Sequence, residues 1–294
     1  MPQISANALT IEYDTFGSST DRPLLLVMGL GSQMTRWNPD FCGMLADAGH
    51  YVVRFDNRDV GLSTHLNEAG LPDMAAVTAA LLQGQEVDVP YTLEDMADDT
   101  AALIEGLALD AVHVCGASLG GMVAQTLAIR HPRKVRSLTS IMSSTGNREL
   151  PPATPEAMAA LLTPAAPDRA GTGERAISIS KVIGSPGYPA DPEEVRARAM
   201  ADYDRAFDPA GVARQMAAAS VQADRRAELS GLSIPALVIH GKDDPLVPVT
   251  GGIDTHEAIP DSELCLIDGM GHDLPRQLWP EIVQQITLVT EKAG

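Results

Sequence analysis

The feature that most constrains this chain is an alternation of short, almost uniformly apolar runs with stretches of helical spacing. The runs cover residues 23–28, 51–55, 111–115, 138–142, 235–239 and 264–267. Segments of this length match strands, and strands with so little polar alternation are expected to be buried on both faces. Strands separated by helices predict an α/β fold: a mostly parallel, twisted sheet flanked by helices. Gln3-Ile4-Ser5 and Leu9-Thr10-Ile11-Glu12-Tyr13 alternate about Asn7, which predicts an opening hairpin. Thr92-Leu93-Glu94-Asp95 resembles a capping box for a helix running to about Leu107. Further helices are predicted over 122–130, ended by His131-Pro132, and over 279–291.

One region breaks the alternation. From about Thr145 to Glu228 the chain is rich in Ala, Pro and Arg, and no strand is legible. Segments 157–162, 174–183, 192–203 and 211–223 read as helices between Pro/Gly-rich turns. The strand pattern resumes at Ser233 without a linker, so this region reads as an insertion. The expected organisation is a core in two parts, 1–144 and 229–294, with a helical cap inserted at 145–228. A chain of 294 residues is long enough for one core plus such an insertion.

Composition narrows the partners. Aromatic residues make up only 4%, so aliphatic side chains and twelve Met must supply most of the packing. The net charge is −18, from 39 acidic against 21 basic residues. That field repels phosphate backbones and anionic membranes, which argues against nucleic-acid binding. Cys42, Cys115 and Cys265 are odd in number and widely spaced; Cys115 and Cys265 lie in apolar runs and read as small buried hydrophobes. No stretch reaches membrane-spanning length, and the first sixteen residues lack a basic region followed by an apolar run. A cytoplasmic location is expected.

The chemistry centres on Gly116-Ala117-Ser118-Leu119-Gly120, which follows one predicted strand and precedes a predicted helix. A G-x-S-x-G arises by chance in roughly one chain in ten of this length, so its placement carries the weight. Between strand and helix it is a nucleophile elbow, a sharp turn that lifts the serine hydroxyl above the sheet. The acid and base should follow on loops after later strands, in the order Ser, Asp/Glu, His. Run 235–239 ends in His240-Gly241-Lys242-Asp243-Asp244-Pro245, and run 264–267 in Asp268-Gly269-Met270-Gly271-His272. His272 is the expected base. His240, also at a strand end, is its rival but precedes the acid; His113 lies inside a strand, His131 ends a helix, and His50, His65 and His256 read as loop or surface residues. Asp244, held by Pro245, is the expected acid, leaving Asp243 as a solvated loop carboxylate. The oxyanion donors are expected to be the amides of Leu119, after the nucleophile, and Leu30, in Met28-Gly29-Leu30-Gly31. That segment lacks the third glycine of a dinucleotide fingerprint, and no phosphate-loop or metal-ligand spacing is present, so neither cofactor nor metal is expected.

With these residues in view, the chain resembles the α/β-hydrolase superfamily over nearly its whole length. The Gly241–Pro248 segment 241-GKDDPLVP-248 and Gly269-Met270-Gly271-His272 carry the likeness. Met28-Gly29-Leu30-Gly31, the stretch 54-RFDNRDVGLS-63 and residues 268–275 narrow it to a bacterial branch holding aclacinomycin methylesterases and mycobacterial lipase G-like esterases. The resemblance implies Ser118 as nucleophile, Asp244 as acid, His272 as base, and Leu30 and Leu119 as oxyanion amides. Met28 departs from the His-Gly pair usual in the wider superfamily, and Asn57, Arg58 and Asp59 are implied to brace the oxyanion loop. Serine at the elbow argues against dehalogenases and epoxide hydrolases, which carry aspartate there. The expected activity is hydrolysis of a small, neutral, lipophilic carboxylic ester through an acyl-enzyme, without a cofactor. A thioesterase, amidase, carbon–carbon hydrolase or cofactor-free haloperoxidase with the same triad is an alternative, as is a ligand-binding member without catalysis.

Overall fold

The computed structural model describes residues 1–294. Eight strands form one sheet: β1 (Gln3–Ala6), β2 (Leu9–Phe16), β3 (Arg22–Val27), β4 (His50–Phe55), β5 (Val112–Ala117), β6 (Val135–Ile141), β7 (Ala236–Gly241) and β8 (Glu263–Ile267). Their order is β1-β2-β4-β3-β5-β6-β7-β8. β1, β2 and β4 pair antiparallel, and every pair from β4 to β8 is parallel. The opening hairpin turns through Asn7 and Ala8, both at positive φ, as a tight two-residue turn requires.

Eleven helices accompany the sheet: α1 (Pro39–Asp47), α2 (Met74–Leu82), α3 (Leu93–Gly106), α4 (Leu119–Arg130), α5 (Pro155–Leu161), α6 (Arg169–Ile183), α7 (Pro192–Arg205), α8 (Pro209–Ser220), α9 (Arg226–Leu229), α10 (Val249–Ala258) and α11 (Trp279–Lys292). Side chains alternate between two cores along each central strand. On β3, Leu25 and Val27 pack with α3 and α4, whereas Leu24 and Leu26 pack with α1 and α11. The sheet is thus covered on both faces, and the apolar runs follow from that. No helix is long and apolar enough to cross a membrane.

Several expectations need correction. β8 is an edge strand, mostly half-buried, so Cys265 is partly exposed rather than a core residue. His50 is not on a loop: it opens β4, fully buried, with Nδ1 against the Leu45 carbonyl and Nε2 against Thr290 Oγ1. The helix after the elbow begins at Leu119, three residues before the expected start, because Gly120 and Gly121 hide its helical character. Glycines at 171 and 173 hide the first turn of α6 in the same way. α2 escapes detection because it is apolar on every side, and α10 because of its paired glycines. α1 does carry a start signal, Pro39 after an Asn38 cap that accepts the Asp40 N–H.

Between β6 and β7 the chain is helical, α5 to α9, with no strand. Where it leaves and rejoins the sheet, the buried Arg225 donates to the Ser144 carbonyl and to Gln125 Oε1 of α4. It has no carboxylate partner, and burial pulls its pKa down to about 10.

Candidate active site

Strand order decides where the site lies. β4 flanks β3 on one side and β5 on the other, so the chain leaves the carboxyl ends of β3 and β5 in opposite directions. Such a switch point opens a crevice there. Val27, the last residue of β3, is paired with Gly116, which brings the loop after β3 beside the elbow.

The elbow is tight. Gly116 and Gly120 lie so close that a Cβ on Gly116 would overlap the Gly120 carbonyl, and one on Gly120 would overlap the Val27 carbonyl. Ser118 between them takes φ 55°, ψ −121°, a conformation unfavourable for a residue with a side chain. Its N–H donates to the Ile141 carbonyl, and its carbonyl accepts from Ser143 Oγ, so neighbouring strand ends hold the turn.

The loops after β7 and β8 deliver Asp244 and His272 to this turn. Ser118 Oγ lies 3.0 Å from His272 Nε2, and His272 Nδ1 lies 2.7 Å from Asp244 Oδ2. A carboxylate can only accept, so Nδ1 carries the proton and Nε2 is free to accept from the serine hydroxyl. Asp244 is completely buried at its side chain; its Oδ1 accepts the Leu246 and Val247 N–H groups. That cradle orients Oδ2 toward His272.

His240 makes a different set of contacts. Its Nε2 donates to the Val247 carbonyl at 2.8 Å and stands 3.7 Å from Asp244 Oδ2. Burial lowers its pKa, so it packs as a neutral ring against the acid loop. Asp243 is more than a solvated carboxylate, because it accepts the Gly269 N–H from the loop that carries His272.

On the side of the loop after β3, Gly29 packs against Ser118: a Cβ there would sit 3.2 Å from that of the serine. The Leu30 N–H donates to no group of the protein, whereas those of Gly31 and Ser32 are taken by Gln215 Oε1 and the Gly29 carbonyl. Leu119 opens α4, where a helix leaves its N–H groups without i−4 partners. Behind this loop stands the Asn57-Arg58-Asp59 stretch. Asn57 Nδ2 donates to the Met28 carbonyl, Arg58 forms a two-point ion pair with Asp99, and Asp59 forms one with Arg214 of α8. Asp59, His65 and Asp208 converge within 4.8 Å, a spacing that could suit a metal, but the Arg214 guanidinium reaches both carboxylates.

Sequence reasoning missed the contacts from the helical region between β6 and β7. The His272 N–H donates to the Ile183 carbonyl at 2.7 Å, and the Gly271 N–H to Ser185 Oγ at 2.9 Å. Ser185 in turn donates to Asp273, whose carboxyl is pushed upward in pKa by burial. Neither Ser185 nor Gln215 belongs to a recognisable spacing, so no sequence signal marks them.

Residues 22–275 match the family described as alpha/beta hydrolase fold. Over 99% of this chain and 98% of the relative, the sequence is 26% identical to rhodomycin D methylesterase DnrP of Streptomyces peucetius. It is 26% identical to 3-oxoadipate enol-lactonase 2 of Acinetobacter baylyi, over 85% of this chain and 81% of that one. Among solved structures, a meta-cleavage product hydrolase from Pseudomonas fluorescens superposes with a TM-score of 0.74 at 17% identity, covering 100% and 98% of the two chains, which speaks to the fold alone. Elbow, sheet order and family match agree, and the chain belongs to the alpha/beta hydrolase fold family.

Proposed function

We propose that this protein hydrolyses carboxylic esters through an acyl-enzyme on Ser118, with Asp244 and His272 completing the triad. The observation that carries the reading is the relay Ser118–His272–Asp244, at 3.0 and 2.7 Å with one tautomer chemically allowed. The full-length likeness to methylesterases supports the ester bond as the one cleaved. His272 Nε2 takes the hydroxyl proton as Ser118 Oγ attacks the carbonyl carbon. Asp244 holds the ring and stabilises the imidazolium, and the Leu30 and Leu119 amides receive the oxyanion. The tetrahedral intermediate collapses, His272 protonates the leaving alcohol, and the acyl group stays on Ser118. His272 then activates water, which releases the acid and restores the serine.

Residues 145–228 act as a cap over this site in our reading, with 1–144 and 229–294 forming the core. The bonds from Ile183 and Ser185 to the His272 loop support that role. The net charge of −18 and the uncovered apolar cap side chains Met158, Leu162, Val182 and Phe207 support a preference for neutral, lipophilic esters. The test is labelling with a fluorophosphonate, followed by peptide mass spectrometry, beside turnover of ester, thioester and amide substrates by the wild type and Ser118→Ala. The adduct is expected on Ser118, with esters turned over fastest and the variant inactive. An adduct elsewhere, or an active Ser118→Ala, overturns the proposal.

A further inference from the structure

One side chain from α8 reaches the loop that carries Leu30. Gln215 is fully buried, and both ends of its amide are engaged. Oε1 accepts the Gly31 N–H at 2.8 Å, and Nε2 donates to the Arg58 carbonyl at 2.9 Å. The partners set this orientation, since a backbone N–H can only donate and a carbonyl can only accept. Gly31 is left-handed, at φ 59°, and Val212 of the same helix packs where its Cβ would be. Next to Gln215, Arg214 anchors α8 through its buried two-point pair with Asp59.

The span from Met28 to Gly31 is therefore gripped at both ends. Asn57 holds the Met28 carbonyl from the core side, and Gln215 holds the Gly31 N–H from α8. Between the grips lies Leu30, flanked by two glycines whose backbone torsions are intrinsically permissive. Without the second grip, rotation about Leu30 and Gly31 would let the loop swing its amides away from Ser118.

We propose that Gln215 is a positioning residue for the oxyanion hole, holding the Leu30 amide in place from the helical region outside the core. This rests on the reading of Ser118 as nucleophile and Leu30 as oxyanion donor. Gln215 touches no reacting atom; it acts through Gly31. Negative charge on the oxygen develops only in the transition state, so the effect falls on kcat and on binding of tetrahedral mimics, and leaves KM nearly unchanged.

The test uses the full chain and three measurements: kcat and KM on a neutral p-nitrophenyl ester, the Kd of an alkyl boronic acid, which forms a tetrahedral adduct on a serine, and thermal unfolding. Gln215→Met keeps the side-chain length and removes both hydrogen bonds; Gln215→Glu keeps an acceptor for Gly31. A lost oxyanion donor lowers kcat by about 10²–10³-fold, so a displaced one is expected to lower it by about 10–100-fold in Gln215→Met. The boronate Kd should rise by a similar factor, KM should stay within about twofold of wild type, and Gln215→Glu should lose less than Gln215→Met. A folded Gln215→Met with wild-type kcat and boronate affinity overturns the proposal, as does a change confined to KM. If Gln215→Met does not fold, the same two constants for Gln215→Ala, which also removes the acceptor for Gly31, decide: a joint loss in both supports the positioning role, and wild-type values in both reject it. A wild-type enzyme that neither binds boronate nor labels at Ser118 refutes the nucleophile assignment instead, which separates the two failures.

Discussion

Asp243 Oδ2 accepts the Gly269 N–H at 2.8 Å, so the carboxylate beside Asp244 ties the acid loop to the loop bearing His272. The two adjacent acids therefore divide the work: Asp244 faces the imidazole, and Asp243 faces backbone. Asp244→Asn would present an amide to Nδ1 and favour the wrong tautomer, with an expected fall in kcat of about 10⁴-fold. Asp243→Asn keeps an oxygen for Gly269 and should stay within a few-fold of wild type. Steady-state kinetics on one ester decide the ranking, and the opposite order would move the acid to Asp243.

The elbow strain has its own consequence. Ser118 sits at φ 55°, which any Cβ resists and glycine tolerates. Both Ser118→Ala and Ser118→Gly should be inactive, yet the glycine variant is expected to be the more stable by about 1 kcal/mol. Denaturant unfolding of the two variants checks this; equal stability would mean that the turn is not strained at the serine.

Stability should fall on the acid side. Burial lowers the pKa of His113 to about 4, and burial also lowers those of His50 and His240. His113 faces His50, Arg136 and Arg22, which oppose its charge further. A lowered folded value means that the unfolded chain binds protons first. Stability is then fully present above about pH 6.5 and is lost as pH falls toward 4, by up to about 3 kcal/mol for His113. His65 opposes this: burial disfavours its charge, but the Gly61 carbonyl and Asp208 raise its pKa, so its contribution is present at low pH and lost above that raised value. Unfolding midpoints at pH 4.5 and 7.5 should differ less in His113→Gln than in the wild type. An unchanged difference would assign the acid lability to other groups.

The Arg214–Asp59 pair joins α8 to the stretch behind the Met28–Gly31 loop, with both side chains almost completely buried. Neutralising Asp59 leaves Arg214 only the longer contact to Asp208 at 3.4 Å, and breaking a buried pair typically destabilises by about 3–5 kcal/mol. Asp59 is itself at positive φ, so asparagine, which accepts that backbone, is the suitable substitution. Asp59→Asn should lose about 3 kcal/mol, and the double variant with Arg214→Met should recover much of it. A double-mutant cycle without coupling would show that the pair contributes little.

For the substrate, specificity constants should climb along an acyl series of p-nitrophenyl esters until the pocket is full. Each buried methylene contributes up to about 0.8 kcal/mol. A charged hemisuccinate ester should lag behind its neutral counterpart because of the acidic protein. A flat series, or a preference for the charged ester, would reject a lipophilic site.

The primary sequence determined the secondary framework and the chemistry-bearing loops. Six apolar runs read as strands, Gly116-Ala117-Ser118-Leu119-Gly120 could serve as an elbow only between strand and helix, and the last two strands ended in loops offering an acid and a histidine. These features are local: each depends on residues a few positions apart, where steric and burial constraints leave few alternatives. Folding decided what depends on distance through space. It sent Asp243 to Gly269 and Asp244 to His272, a division that two adjacent identical residues cannot reveal. Pairing of His240 with the Val247 carbonyl and burial of His50 inside β4 were likewise settled by neighbours remote from any motif. Most of all, Gln215 and Ser185 reach the Leu30 and His272 loops from 184 and 86 residues away along the chain. Their side chains are ordinary for a helix and a turn, and only the placement of α6–α8 beside the Leu30 and His272 loops brings them into contact with those loops.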